Sequence, residues 1–201
     1  QNRAALAELE KEVARTYYLE ASGRKSWYQG IDDPLYGLGL MSYTRLINYS
    51  TLTPSSSGAV DHARALVELA DWSLLFSRNG AAIKRYEEAY DLLVERHVPA
   101  ASIEELFPAA TPVFLPASEP LPLRAAVTGS TGYVDVDFEI RRYGQPRKVT
   151  IVGVAGEDAA AVSKQLAFAI GNGRFRPSPV NTGAEYRLRY SLADGSLTPR
   201  L

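Results

Sequence analysis

His62 and His97 are the chain's two histidines, and they fall on different predicted helices, in no metal-ligand spacing. His97 precedes Pro99 at a helix C-terminus, where an imidazole partners the helix dipole. His62, in the first turn of a helix, reads as solvated. Glu87-Glu88 and Glu104-Glu105 read as solvated helix charges rather than as a general acid and base. Gly129-Ser130-Thr131-Gly132 lacks the spacing of a nucleophile elbow. Gly37-Leu38-Gly39 and Gly171-Asn172-Gly173 lack the third glycine and preceding strand of a dinucleotide site. Cysteine is absent, which excludes disulfides, thiolate metal sites and a thiol nucleophile. The expectation is a non-catalytic chain with no cofactor and no metal.

Charge points the same way. The 201 residues carry 22 Lys and Arg against 23 Asp and Glu, a net charge of −1, which leaves no global handle for nucleic acid or an anionic membrane. The balance is uneven along the chain: residues 1–124 sum to −4 and residues 125–201 to +3. No stretch reaches the ~18–20 apolar residues of a membrane span, and no signal peptide opens the sequence. Gln1 leads straight into an amphipathic run, which fits a cytoplasmic chain, a processed form or a trimmed one.

The elements that must position any site change period near residue 108. Before it, apolar residues recur at three and four; after it, they alternate. In the front half, Leu6, Leu9, Val13, Tyr17 and Glu20 predict a helix ending near Gly23. Asp32-Asp33-Pro34 is a helix start, with Leu35, Leu38, Met41 and Leu46 as its apolar stripe. A loop over Thr53–Gly58 precedes a helix from about Ala59 to Asn79-Gly80. Another helix runs from Ala81 to Arg96, and Ser102-Ile103-Glu104-Glu105 reads as a capping box for a last short one. Trp72, Phe76, Tyr86 and Tyr90 read as core. Tyr17, Tyr18, Tyr28, Tyr36, Tyr43 and Tyr49 form a cluster that could offer flat contact area to a peptide. Ala70, Ala82 and Ala89 stand where two antiparallel helices could approach closely. That spacing resembles the tetratricopeptide repeat, over about one 34-residue unit, clearest at residues 63–96. A single unit buries too little surface, so the flanking helices must close the stack.

Five prolines at 108, 112, 116, 120 and 122 predict an extended spacer over residues 108–124, against helix and sheet ladder alike. Phe107, Val113, Phe114 and Leu115 are apolar enough to lie against a domain. Beyond the spacer, Tyr133–Ile140 alternates as a strand, with Asp135, Asp137 and Glu139 on its wet face. Tyr143–Pro146 turns, and Arg147–Val152 returns as its hairpin partner. Gly156-Glu157-Asp158 opens a helix with the stripe Val162, Leu166, Ala169 and Ile170, stopped by Gly171–Gly173. A final strand places Tyr186, Leu188, Tyr190 and Leu192 inward and Arg187 and Arg189 outward. Those arginines answer Asp135 and Asp137, so the first strand is expected to be central and the last to pair with it. The last strand would then be an open edge. Arg141, Arg142, Arg147, Lys148, Arg174 and Arg176 remain as further cations, but stacking aromatics are missing from the wet face, which argues against RNA.

This half resembles the C-terminal domain of the TonB energy-transducer family over residues 133–192. The likeness rests on the alternating first strand, Gly144 and Val149, Ala159-Ala160-Ala161, Arg174-Phe175-Arg176-Pro177 after the helix, Gly183 and the closing strand. The chain departs from the family in having a helical domain, a short spacer and no visible anchor. The expected fold is α+β in two domains: a helical tetratricopeptide-like domain at 1–107, a linker at 108–124 and a small β-β-α-β domain at 125–201. The resemblance implies a periplasmic interaction module that captures an extended peptide of a cell-envelope protein as an added strand, with roles in energy transduction and transport. Tyr186, Arg187, Leu188, Arg189 and Tyr190 would be its docking edge. Nucleic acid is not an expected partner, and a membrane is reached only through a partner or a removed anchor. The alternative is a scaffold or homodimerising component of a cell-envelope assembly.

Overall fold

The computed structural model describes residues 2–22, 33–50, 56–116, 131–178 and 184–200. The chain is mixed α+β, and it divides into two compact units, residues 1–108 and 109–201. Residues 24–32 between the first two expected helices, Tyr28 among them, and Gly129, Ser130 and Gly183 lie outside the described residues.

In the first unit, α1 (Asn2–Ser22), α2 (Pro34–Ser50), α3 (Ser56–Leu75), α4 (Asn79–Glu95) and α5 (Ala100–Leu106) follow one another. Each of α1 to α4 packs mainly on its sequence neighbour. Helix α2 starts as its sequence dictates: the Asp33 carboxylate accepts from the Leu35 amide at 3.0 Å, and Pro34 takes the first helical position, where no N–H is needed. Ala70, Ala82 and Ala89 are all fully buried, and α3 and α4 pack closely together.

Several expected details differ. The inward face of α1 is turned by about one residue: Ala14 and Ala21 are buried, whereas Leu6 and Leu9 are exposed. Five apolar residues at helical spacing do not by themselves say which edge of a broad stripe meets a neighbour. On α2, Leu38 and Met41 are exposed and the buried positions are Leu35, Gly39, Ser42, Tyr43 and Leu46. Asn79-Gly80 opens α4 instead of ending α3. Ser102 lies inside α5, where Pro99 is the cap residue and no side chain caps.

In the second unit, β2 (Tyr133–Ile140), β3 (Pro146–Ala155), β5 (Glu185–Ser191) and β6 (Leu197–Arg200) form an antiparallel sheet in the order β3-β2-β5-β6. Helix α6 (Ala159–Gly171) covers one face, burying Val162, Leu166, Ala169 and Ile170; Val162, Leu166 and Ile170 share one core cluster with Val134, Val136, Phe138 and Leu188. The spacer departs from its expected form. Pro112–Phe114 is a strand, β1, paired with β4 (Arg174–Phe175) through an irregular register, and Val113 and Phe114 are buried. Proline is tolerated at such an edge or irregularity because no ladder donor is required of it there.

Candidate functional site

The sheet's uncovered face is a ladder of ion pairs. Register places Asp135 opposite Arg189 and Asp137 opposite Arg187. Arg189 donates from Nε and a terminal nitrogen to the two Asp135 oxygens at 2.7 and 2.6 Å. Arg187 grips Asp137 the same way at 2.6 and 2.7 Å. Two parallel bonds of this kind fix geometry as well as charge. Glu139 pairs with Arg147 at 2.5 Å and with Lys148. The Arg189 guanidinium also lies over the Tyr133 ring, 3.6 Å from its centroid. Hydrogen bonds from Arg189, Arg187 and Lys148 hold the carboxyls of Asp135, Asp137 and Glu139, respectively, below their ordinary range. The expectation that β2 is central and pairs with β5 is therefore met, with those arginines opposite those aspartates.

The open edge is not where the sequence placed it. Strand β5 has β2 on one side and β6 on the other, with Arg187 facing Arg200, Leu188 facing Pro199, Arg189 facing Thr198 and Tyr190 facing Leu197. Tyr186, Arg187, Leu188, Arg189 and Tyr190 thus form an inner strand. The reason is local. Asp194 Oδ1 accepts from the Ser196 amide at 3.0 Å and its hydroxyl at 2.7 Å, and Gly195 takes φ +71°, so the chain reverses tightly. Asp194-Gly195-Ser196 was the legible signal for that hairpin.

Among the described residues, the free edges of this sheet are β3 and β6. Strand β3 carries two register irregularities against β2, and Lys148 sits at one of them with φ +53°. Val152 is the extra residue at the other and is exposed. Bulges and an edge lysine twist and charge a strand against further pairing. Strand β6 has four residues and contains Pro199, which has no N–H. That proline removes one donor, either from the ladder to β5 or from the outer flank.

Arg174, Phe175, Arg176 and Pro177 tie three segments together. The Phe175 amide donates to Gly144 O at 2.9 Å, and the Arg176 amide to Thr111 O at 2.8 Å. Phe175 is fully buried and packs tilted against Phe138, with ring centroids 4.9 Å apart. Arg174 is buried and donates to Gly173 O at 2.7 Å. These residues are structural anchors of the unit.

In the helical unit, His62 is half-buried rather than solvated. Its Nδ1 lies 3.0 Å from Ser50 Oγ, and Ser50 donates its own hydrogen to Ile47 O at 2.8 Å. Ser50, His62 and the Ile47 carbonyl thus form one small polar group that closes the end of α2. Burial lowers the His62 pKa. A groove of about 460 Å³ runs beside it, edged by Lys84, Glu87, Glu88, Asp91 and Glu95. Among the described residues, no cluster of His, Asp and Glu has metal-binding geometry. His97 lies just past α4 with φ +52°, its amide bonded to Val94 O. Of the tyrosine cluster, Tyr43 is buried and Tyr17, Tyr18, Tyr36 and Tyr49 are half-buried, so most of their area is spent inside.

The fold and site define an α+β chain whose four-stranded sheet bears a charge ladder on one face and a helix on the other. No protein-family model, curated protein or solved structure matches the chain.

Proposed function

We propose that the chain is a non-catalytic interaction protein that accepts an extended segment of a cell-envelope partner along β5, in the place that β6 occupies. This reading carries the likeness to TonB C-terminal domains, and with it a periplasmic setting and a role in transport or energy transduction. The helical unit is read beside it as a tetratricopeptide-like support. The observation that carries the proposal is how lightly β5 is covered. Three of the four β6 residues, Thr198, Pro199 and Arg200, are exposed, and Leu197 alone packs partly on the core. A competing strand regains the backbone bonds and adds side-chain contacts that β6 lacks.

The test is a chain ending at Gly195, titrated with a fluorescent peptide of the β6 sequence, Ser-Leu-Thr-Pro-Arg-Leu. The shortened chain is expected to bind the peptide, and the whole chain to bind it at least tenfold more weakly, because β6 competes internally. A peptide N-methylated on alternate amides is expected to fail in both. If the shortened chain keeps its sheet, as seen by circular dichroism, yet binds no extended peptide, the proposal is wrong.

A further inference from the structure

Net charge near zero conceals how the second unit distributes its charges. The end of the sheet where Ile140 meets Pro146 and Glu139 meets Glu185 carries Arg141 and Arg142 on the β2–β3 turn, with Arg147 and Lys148 at the start of β3 paired to Glu139. The Phe175–Gly144 backbone bond brings Arg176, and the buried Arg174 beneath it, to the same end. Among the described residues, six cations stand there with two acids, Glu139 and Glu185. The opposite end, where Tyr133 meets Ala155 and Ser191, continues into Glu157, Asp158 and Asp194. The paired ladder between the two ends is neutral. The unit is thus polarised, with a cationic pole.

That pole is also aromatic. Tyr143, between Arg142 and Gly144 at the turn, is 43% exposed. The turn is held rigid by the Gly144 amide bonded to Arg141 O at 2.8 Å and the Arg141 amide bonded to Gln145 O at 2.9 Å. Phe168, on the last turn of α6 and four residues before Asn172, is 58% exposed. Helix α6 ends at Gly171, next to β4, so this ring belongs to the same end. Cations with long apolar stems beside a rigid exposed tyrosine and a phenylalanine match the headgroup region of a bilayer, where charge meets phosphate and rings sit at the boundary.

We propose that the pole formed by Arg141, Arg142, Tyr143 and the neighbouring cations docks the second unit on an anionic phospholipid surface. The contact is peripheral and reversible, and it is independent of strand addition at β5. Charge supplies the attraction, falling off within a Debye length, and the rings distinguish a lipid surface from an acidic polymer.

The test is sedimentation of the whole chain with vesicles of phosphatidylcholine alone or with about a third phosphatidylglycerol. Binding is expected only to the anionic vesicles and is expected to be lost in high salt. Arg141→Gln and Arg142→Gln are each expected to weaken partitioning about fivefold, whereas Glu157→Gln, at the far pole, leaves it unchanged or slightly stronger. Tyr143→Ala is expected to weaken binding to vesicles but not retention on polyglutamate. The proposal is overturned if anionic vesicles do not sediment the chain, or if they sediment the Arg141→Gln/Arg142→Gln double variant equally well. It is overturned too if Tyr143→Ala binds vesicles as wild type does, which would make the pole a site for acidic polymers.

Discussion

At Gly39 a methyl group would stand 2.2 Å from a ring carbon of Trp72, too close for any side chain. The glycine opens α2 so that the indole can lie against its backbone, where Trp72 Nε1 donates to Tyr36 O at 3.1 Å. Trp72 is fully buried and touches Phe76 at 4.6 Å and Tyr43 at 5.9 Å between ring centroids. Nearby, Tyr86 donates to a buried Asp71 carboxylate at 2.5 Å, tying α4 to α3. Gly39→Ala gains intrinsic helix propensity, about 1 kcal/mol, but forces the indole to move. Overpacking of this kind costs about 1–3 kcal/mol, so a net loss of stability is expected despite a better helix former. A urea unfolding curve checks it; an unchanged or raised midpoint would show that Trp72 is not wedged there.

For strands, the ladder on β2 and β5 makes acid the natural denaturant of the sheet. Asp135, Asp137 and Glu139 are held below their ordinary pKa by arginine and lysine partners. Their contribution is therefore full above the unfolded-state carboxyl values, around pH 4, and is lost as pH falls through the lower folded values. Unfolding of the second unit, followed by circular dichroism, is expected to set in below about pH 4. In Asp135→Asn/Asp137→Asn the pH dependence over that range is expected to flatten, with lower stability at neutral pH because Arg189 and Arg187 lose their bidentate partners. A wild-type midpoint constant from pH 5 to pH 2 would contradict this.

The two units differ in sign as well as in architecture: residues 1–108 sum to −4 and residues 109–201 to +3. Their boundary is placed by packing. Pro112–Phe114 pairs with β4, Thr111 O accepts from Arg176, and Ala110 and Leu115 join the sheet core. A fragment of residues 109–201 is expected to fold with native-like dispersion in its NMR spectrum. One of residues 125–201, cut where sequence composition places the domain start, leaves β4 unpaired. It is expected to be less stable by roughly 2–4 kcal/mol, from lost apolar burial and backbone bonds. Equal denaturation midpoints for the two fragments would show that β1 contributes nothing.

Periodicity alone determined the class and most elements: the three-and-four spacing before residue 108, the alternation of Tyr133–Ile140, and the stripe of α6. Complementary charge even determined a strand neighbour, because Asp135 and Asp137 on one strand and Arg187 and Arg189 on another have few other ways to be satisfied. The rest was decided only by tertiary structure, wherever local pattern is silent about the partner. Three residues of β1 and four of β6 are too short to show a period, and proline in each argues locally against a strand. Which face of α1 turns inward depends on α2. The β5 edge closed for the same reason: whether a strand's outer flank is open is a property of what folds back onto it, and a short return can do so without any repeating signal.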